Sequence, residues 1–276
     1  MKKALIYFLL FSGITLIFIL LSLLVAGMLF DKITNATGIS YSEVTLIATV
    51  IVAALWMVAI MGTFIHFRMA DFGKGTLSKG GMVRTTILTL LILMSINIVG
   101  YGYSSFISDN RTGNQIMLLT FRSMPIATLI LYIIIYTVTQ LVFVGGILKE
   151  LLASTKRHRM VILGWAVALS ISEFAGGASS WPSFVTTIAT YYIIGNVFAN
   201  TKTIFPGTAA LIITDFLLVV AAGYQPSAGI TVLAAAILVI SLPLLFEVRF
   251  RVAPNDNLRV SADHFAQLTD KHVKRT

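Results

Sequence analysis

Eight long apolar stretches recur along this 276-residue chain, at about 4–30, 43–66, 85–102, 125–148, 160–175, 182–199, 205–223 and 229–247. A helix needs roughly 20 apolar residues to cross about 30 Å of hydrocarbon, and these stretches cluster around that length. They are continuous rather than alternating, which argues against the period-two strands of a barrel. Inside hydrocarbon no water can bond a peptide group, so such stretches must be helices that satisfy their own N–H and C=O groups. Composition points the same way. The chain is 57% hydrophobic and 11% charged, against roughly 25% charged in soluble domains. The expected fold is all-α: a polytopic integral membrane protein with eight transmembrane helices over residues 1–251 and a short cytosolic tail over 252–276.

Charge orients the spans. With the N-terminus in the cytosol and eight alternating spans, 17 of the 20 Lys and Arg residues face the cytosol. Only Lys32, Arg111 and Arg122 do not. This is the positive-inside asymmetry, and losing one span would destroy it. Both termini are therefore expected inside. The same asymmetry accounts for the net charge of +9 without nucleic acid as a partner, and leaves anionic lipid as the natural one. Met1-Lys2-Lys3 ahead of an apolar run resembles a signal peptide, but the run reaches Phe30, far past a signal core of about 7–15 residues. It reads as a retained first span.

Two spans open at Pro125 and Pro182, where the missing proline N–H would lack a partner anyway. The outer segment from Tyr103 to Met124 contains "IMLLTF", which reads equally as a surface-lying piece or a plain loop. The tail "SADHFAQLTDKHVKR" could form one amphipathic helix capped by Ser261, or remain a solvated tail.

Polar groups inside the spans are costly, and so they direct attention to a site. An Asp at a span centre costs about 2.5–3.5 kcal/mol on insertion scales. Asp215, in "LIITDFLLVV", sits near mid-span, roughly 15 Å from the cytosolic end at 1.5 Å per residue. Gln140 lies roughly 12 Å from the cytosolic end of its own span. Gln140 and Asp215 are therefore expected to share an interior cavity, within roughly 8 Å of each other, the reach of two hydrogen bonds and a bridging water. Thr139, Gln140 and Asn196 are the candidate donors to Asp215. Glu173, in "ISEFAGG", is near an outer end, and Tyr191-Tyr192 adds further polar groups. The bland alternative is that these side chains bond between helices and fix packing.

Familiar catalytic signatures are missing. There is no cysteine, which excludes thiolate chemistry, disulfides and Cys-ligated metals. His66, His158, His264 and His272 fall at or beyond cytosolic span ends. No His-Glu-x-x-His, Gly-x-Ser-x-Gly or phosphate-binding loop occurs. A metal site made of one Asp and neutral amides would be weak. No cofactor is expected.

The span layout and several local patterns resemble the CPBP family, also called Abi, of CAAX prenyl endopeptidases and bacteriocin-processing proteins. "TQLVFVGGIL" is similar to that family's Glu-Glu-x-x-Phe-Arg-Gly-x-Leu in apolar shape. Thr139 and Gln140 stand at the two glutamate positions and Val144 at the arginine position. "GNVFANTKTIFPGTAALIITD" follows a later family pattern, with Leu211 at the histidine position and Asp215 at the Asn/Asp position. The middle motif falls near Leu169 to Glu173, with Glu173 or Ser172 in place of its histidine. The resemblance covers a core of about 125–247. It implies a fourth and a seventh span that face each other around a degenerate active site. In the family, glutamate activates water while His and Asn stabilise the transition state. A neutral Gln140 cannot take that proton.

The resemblance therefore implies a pseudoenzyme. Such a protein would be a scaffold or regulatory subunit for another integral membrane protein, such as a cell-envelope peptidoglycan hydrolase, or a bacteriocin immunity factor. The small-residue helix "GITVLAAAILVIS" is the expected contact face. Two alternatives stay open: a divergent membrane peptidase or hydrolase using Asp215 and Glu173, and a transporter of a small molecule or lipid.

Overall fold

The computed structural model describes residues 2–37, 41–73, 75, 77–107, 121–155, 157–175, 181–221 and 226–252. Among them every regular element is a helix. In chain order these are α1 (Lys2–Thr37), α2 (Tyr41–His66), α3 (Lys79–Ile107) and α4 (Pro125–Val142), then a π-helical turn (Phe143–Leu148) that leads into α5 (Lys149–Ala153). They are followed by α6 (His158–Ala175), α7 (Trp181–Thr201), α8 (Phe205–Val220) and α9 (Ala228–Val252). Each of the eight apolar stretches is largely helical over its described residues, the fourth being built from α4, the π turn and α5 together. Among the described residues five helical segments are long and apolar enough to cross a membrane: Lys2–Leu21, Glu43–His66, Lys79–Gly100, Pro125–Ala153 and Ala228–Leu245. His158–Ile171 and Phe205–Val220 are apolar but shorter.

Helix ends depart from the apolar boundaries where polar residues continue the turn. The first helix runs on to Thr37 rather than Phe30, and α3 spans Lys79–Ile107 rather than 85–102. Hydrophobicity marks what hydrocarbon covers, not where the backbone ladder stops. Several threonines within helices satisfy their own hydroxyls. Thr85, Thr89, Thr201 and Thr208 each donate to the carbonyl four residues earlier, on Gly81, Thr85, Val197 and Ile204. That internal bond lets a hydroxyl enter an apolar helix at low cost.

The third helix lies at the centre and packs against α7, α8 and α9, while α4 packs against α2 and α8. The fourth and seventh apolar stretches are thus direct neighbours. Phe64, Ile60, Ile92, Leu93, Val138 and Leu141 fill the interior, with no accessible surface. Large apolar side chains such as Leu5, Ile17, Val58 and Val239 point outward and are well exposed. A soluble fold would hide them, whereas lipid is as good a solvent for them as the core.

The small residues of the last helix divide between two faces. Ala234 and Ser241 are buried where α9 packs on α3, which lets the two backbones approach. Gly229 and Ala236 are exposed, on a surface they share with Val232, Leu233, Val239 and Ile240.

The glycine pair Gly145-Gly146 has a steric cause. The π turn widens the helix, with Lys149 N–H reaching the Val144 carbonyl five residues back. The α2–α3 connection is laid against it. A Cβ on Gly145 would come within 2.3 Å of the Asp71 carbonyl oxygen, and one on Gly146 within 3.2 Å of the Ala70 Cβ. The same connection is tied to the α7–α8 turn. Ile204 N–H donates to the Phe72 carbonyl at 3.1 Å, and Thr203 Oγ1 donates to the same oxygen at 3.1 Å. Gly73, at φ +77°, adopts the left-handed region open to glycine as it passes Lys202. Three distant parts of the chain are thereby locked at one end of the bundle.

The readings for 108–120, the tail from 253 and the Ser261 cap lie outside the described residues. So does the side chain of Glu173, although its backbone belongs to α6.

Candidate functional site

A polar cavity of about 110 Å³ opens where four helices meet. Each contributes one face, as the 3.6-residue period requires. From α8 come Leu211, Thr214 and Asp215, and from α3 Leu93 and Asn97. The wall from α7 is a hydroxyl ladder, Thr186, Thr187, Thr190 and Tyr191, at relative positions 0, 1, 4 and 5 of one helix. Tyr136 completes it from α4. Close packing of α3 on α7 brings the ladder in: a Cβ on Gly100 would lie 2.3 Å from Thr186 Cγ2.

Among the described residues Asp215 is the only carboxylate lining the cavity, and no described Lys, Arg or His joins it there. Its Oδ2 accepts a hydrogen bond from the Tyr136 hydroxyl. That bond ties α4 to α8 across the site. Tyr136 is stacked obliquely on Tyr132, with ring centroids 5.8 Å apart, and this packing restricts the ring that carries the donor. Behind the opposite wall, Trp165 of α6 meets Tyr191 edge-on at 5.8 Å. Asn97 Nδ2 donates to the Leu93 carbonyl at 2.9 Å, and Thr186 Oγ1 donates to the Ser183 carbonyl at 2.8 Å. Thr214 is 1% exposed, and its Oγ1 has no hydrogen-bond partner among the described residues.

The motif positions separate into two groups. Leu211 and Asp215 line the cavity, whereas Thr139, Gln140, Val144 and Asn196 are not among its lining residues. Thr139 donates to the Ile135 carbonyl at 2.8 Å within its own helix. Gln140 is 3% exposed and its Oε1 has no partner among the described residues. It sits one turn along α4 from Tyr136, on the same face. Val144 is wholly buried in the apolar core. Asn196 donates to the Tyr192 carbonyl at 2.7 Å. The hydrogen bond to Asp215 thus comes from Tyr136, not from Thr139, Gln140 or Asn196.

Sequence reasoning passed over Tyr136, Asn97 and the threonine ladder. The ladder had a legible signal, since "TTIATYY" repeats hydroxyls at a spacing of four. Tyr136 had none, because a tyrosine in an apolar helix ordinarily reads as interface or core. Among the described residues no group of three or more His, Cys, Asp and Glu side chains could hold a metal ion. No family model, no curated protein and no solved structure matches the chain.

Proposed function

We propose that this protein is an eight-span membrane protein with both termini in the cytosol, and that it acts by binding rather than by hydrolysis. Its partner would be another integral membrane protein, such as a cell-envelope enzyme, with the chain as scaffold or regulatory subunit. The observation that supports this best is the make-up of the cavity. Hydrolysis needs a base to activate water and a second group to orient it or to protonate the leaving group. Among the described residues Asp215 has no second carboxylate and no histidine beside it in the lining. The resemblance to CPBP proteins agrees with this reading. The helices at its fourth- and seventh-span positions are neighbours, while its acid positions hold Thr139 and Gln140. The choice of a protein partner follows the non-catalytic members of that family.

Pull-down of the full chain in mild detergent, followed by mass spectrometry, tests the proposal. One stoichiometric membrane partner is expected, retained by Asp215→Asn, because Asn keeps the shape and can still accept from Tyr136. Cleavage of a prenylated or bacteriocin-type peptide by the wild type, lost in Asp215→Asn, would overturn it.

A further inference from the structure

We propose that Arg68 and Lys202 hold the phosphate headgroups of anionic phospholipids at one end of the bundle. This rests on the chain being a membrane protein, and it is independent of any protein partner.

Both residues occupy positions where glycine is the ordinary choice. The α2 helix ends in a Schellman motif, in which Met69 N–H donates to the Phe64 carbonyl at 2.8 Å and Arg68 N–H to the Ile65 carbonyl at 3.0 Å. The α7 helix ends in the simpler form, with Lys202 N–H donating to the Phe198 carbonyl at 2.8 Å. Each motif puts its closing residue in the left-handed region, where a Cβ is crowded and glycine is favoured. The φ angles are +54° at Arg68 and +55° at Lys202. Among the described residues these are the only non-glycines with positive φ, and both are cations. A cation gains from the negative end of a helix dipole, but any position in the last turn offers that gain without the left-handed cost. A strained backbone kept at two separate helix ends points to a use for the side chains it carries.

Their surroundings name the ligand. The two positions lie at one end of the bundle, because Gly75 N–H, in the connection that leaves α2 through Arg68, donates to the Lys202 carbonyl at 3.4 Å. Both side chains are exposed, and neither forms an ion pair with a described residue, whereas Lys149 is matched by Asp71. Exposed Lys79, Arg157 and Arg159 add positive charge at the same end. The complementary ligand is an anion, and two rings favour a lipid anion over a soluble one. Phe67 and Phe205 are 65% and 51% exposed, one residue before Arg68 and three after Lys202. Phe205 stacks on Phe72 of the connection with ring centroids 5.6 Å apart. Acyl chains cover an exposed ring at this level, while the cation beside it reaches the phosphates.

The test uses the full-length protein in phosphatidylcholine nanodiscs, with phosphatidylglycerol replacing a rising share of the lipid and the thermal midpoint as readout. The wild-type midpoint should climb and then level off as phosphatidylglycerol is added. With Arg68→Gly and Lys202→Gly combined, the climb should be at most roughly half as large, because both cations near the surface are gone. In pure phosphatidylcholine the same double variant should melt no lower than the wild type, since glycine relieves the left-handed cost; that midpoint also shows that it folds. Arg68→Lys combined with Lys202→Arg keeps both charges and should restore the full climb. Arg159→Gln, which removes a cation from an ordinary helical position, should leave most of it. A wild type that gains nothing from phosphatidylglycerol would overturn the proposal, as would a folded double glycine variant that responds like the wild type. An equal gain from inorganic phosphate in phosphatidylcholine discs would overturn the lipid assignment. Failure of the wild type to enter any disc would overturn the membrane assignment as well.

Discussion

The Tyr136 hydroxyl donates a hydrogen bond to Asp215 Oδ2, joining two helices 79 residues apart in sequence. The contact helps to keep an acidic side chain in an apolar bundle. A carboxylate in such surroundings requires a donor, and the Thr186 hydroxyl of the ladder is committed to its own helix.

Tyr136→Phe removes that donor with almost no change in volume. It should destabilise the protein by about 1–3 kcal/mol, the cost of leaving a buried acceptor short of a partner. In Asp215→Leu the acceptor is absent, so adding Tyr136→Phe should cost much less. A double-mutant cycle of unfolding in detergent measures the difference. Additive losses would mean that the two side chains do not act as a pair.

The Gly145 prediction tests the close approach of the α2–α3 connection. Gly145→Ala places a Cβ 2.3 Å from the Asp71 carbonyl oxygen. Backbone must move, at about 1–3 kcal/mol. Gly164→Ala is the control. Nothing lies within 4 Å of its added Cβ, and alanine is the better helix former by about 0.5–1 kcal/mol. Thermal midpoints should therefore shift in opposite directions. The Lys149–Asp71 ion pair at the same junction, 2.5 Å long with side chains 49% and 57% exposed, should matter far less.

Gln140 offers a sharper trial of the degenerate-site reading. Its buried Oε1 has no partner among the described residues, so Gln140→Met should be neutral or stabilising by up to about 1 kcal/mol. Gln140→Glu should lower stability by burying a carboxylate. It should also fail to create peptide cleavage, because position 140 is not part of the cavity lining. Cleavage by Gln140→Glu would put that position back at the reacting centre.

Orientation can be measured directly in this cysteine-free chain. Ser154 is exposed at the end of α5. Ser154→Cys should react with an impermeant thiol reagent in inverted vesicles and be silent in intact cells. Labelling from outside would reverse the assignment made from the 17 basic residues.

The sequence by itself determined the element type and the approximate place of every long helix. Hydropathy and length are local properties, and hydrocarbon leaves a continuous apolar stretch no alternative to the helix. Asp215 was equally legible as a site residue, since a charge in mid-span is expensive wherever its neighbours lie. Tertiary structure alone decided who those neighbours are. Tyr136 and Gln140 share a face of α4, yet it is the phenol that bonds to Asp215. Ala234 and Ser241 carry the composition of an external contact stripe, yet they are consumed inside the bundle where α9 meets α3. The need for glycine at 145 shows only where the Asp71 carbonyl is found in the place of its side chain. In each case the deciding quantity is the distance between residues far apart in sequence, which helical periodicity along a single element does not contain.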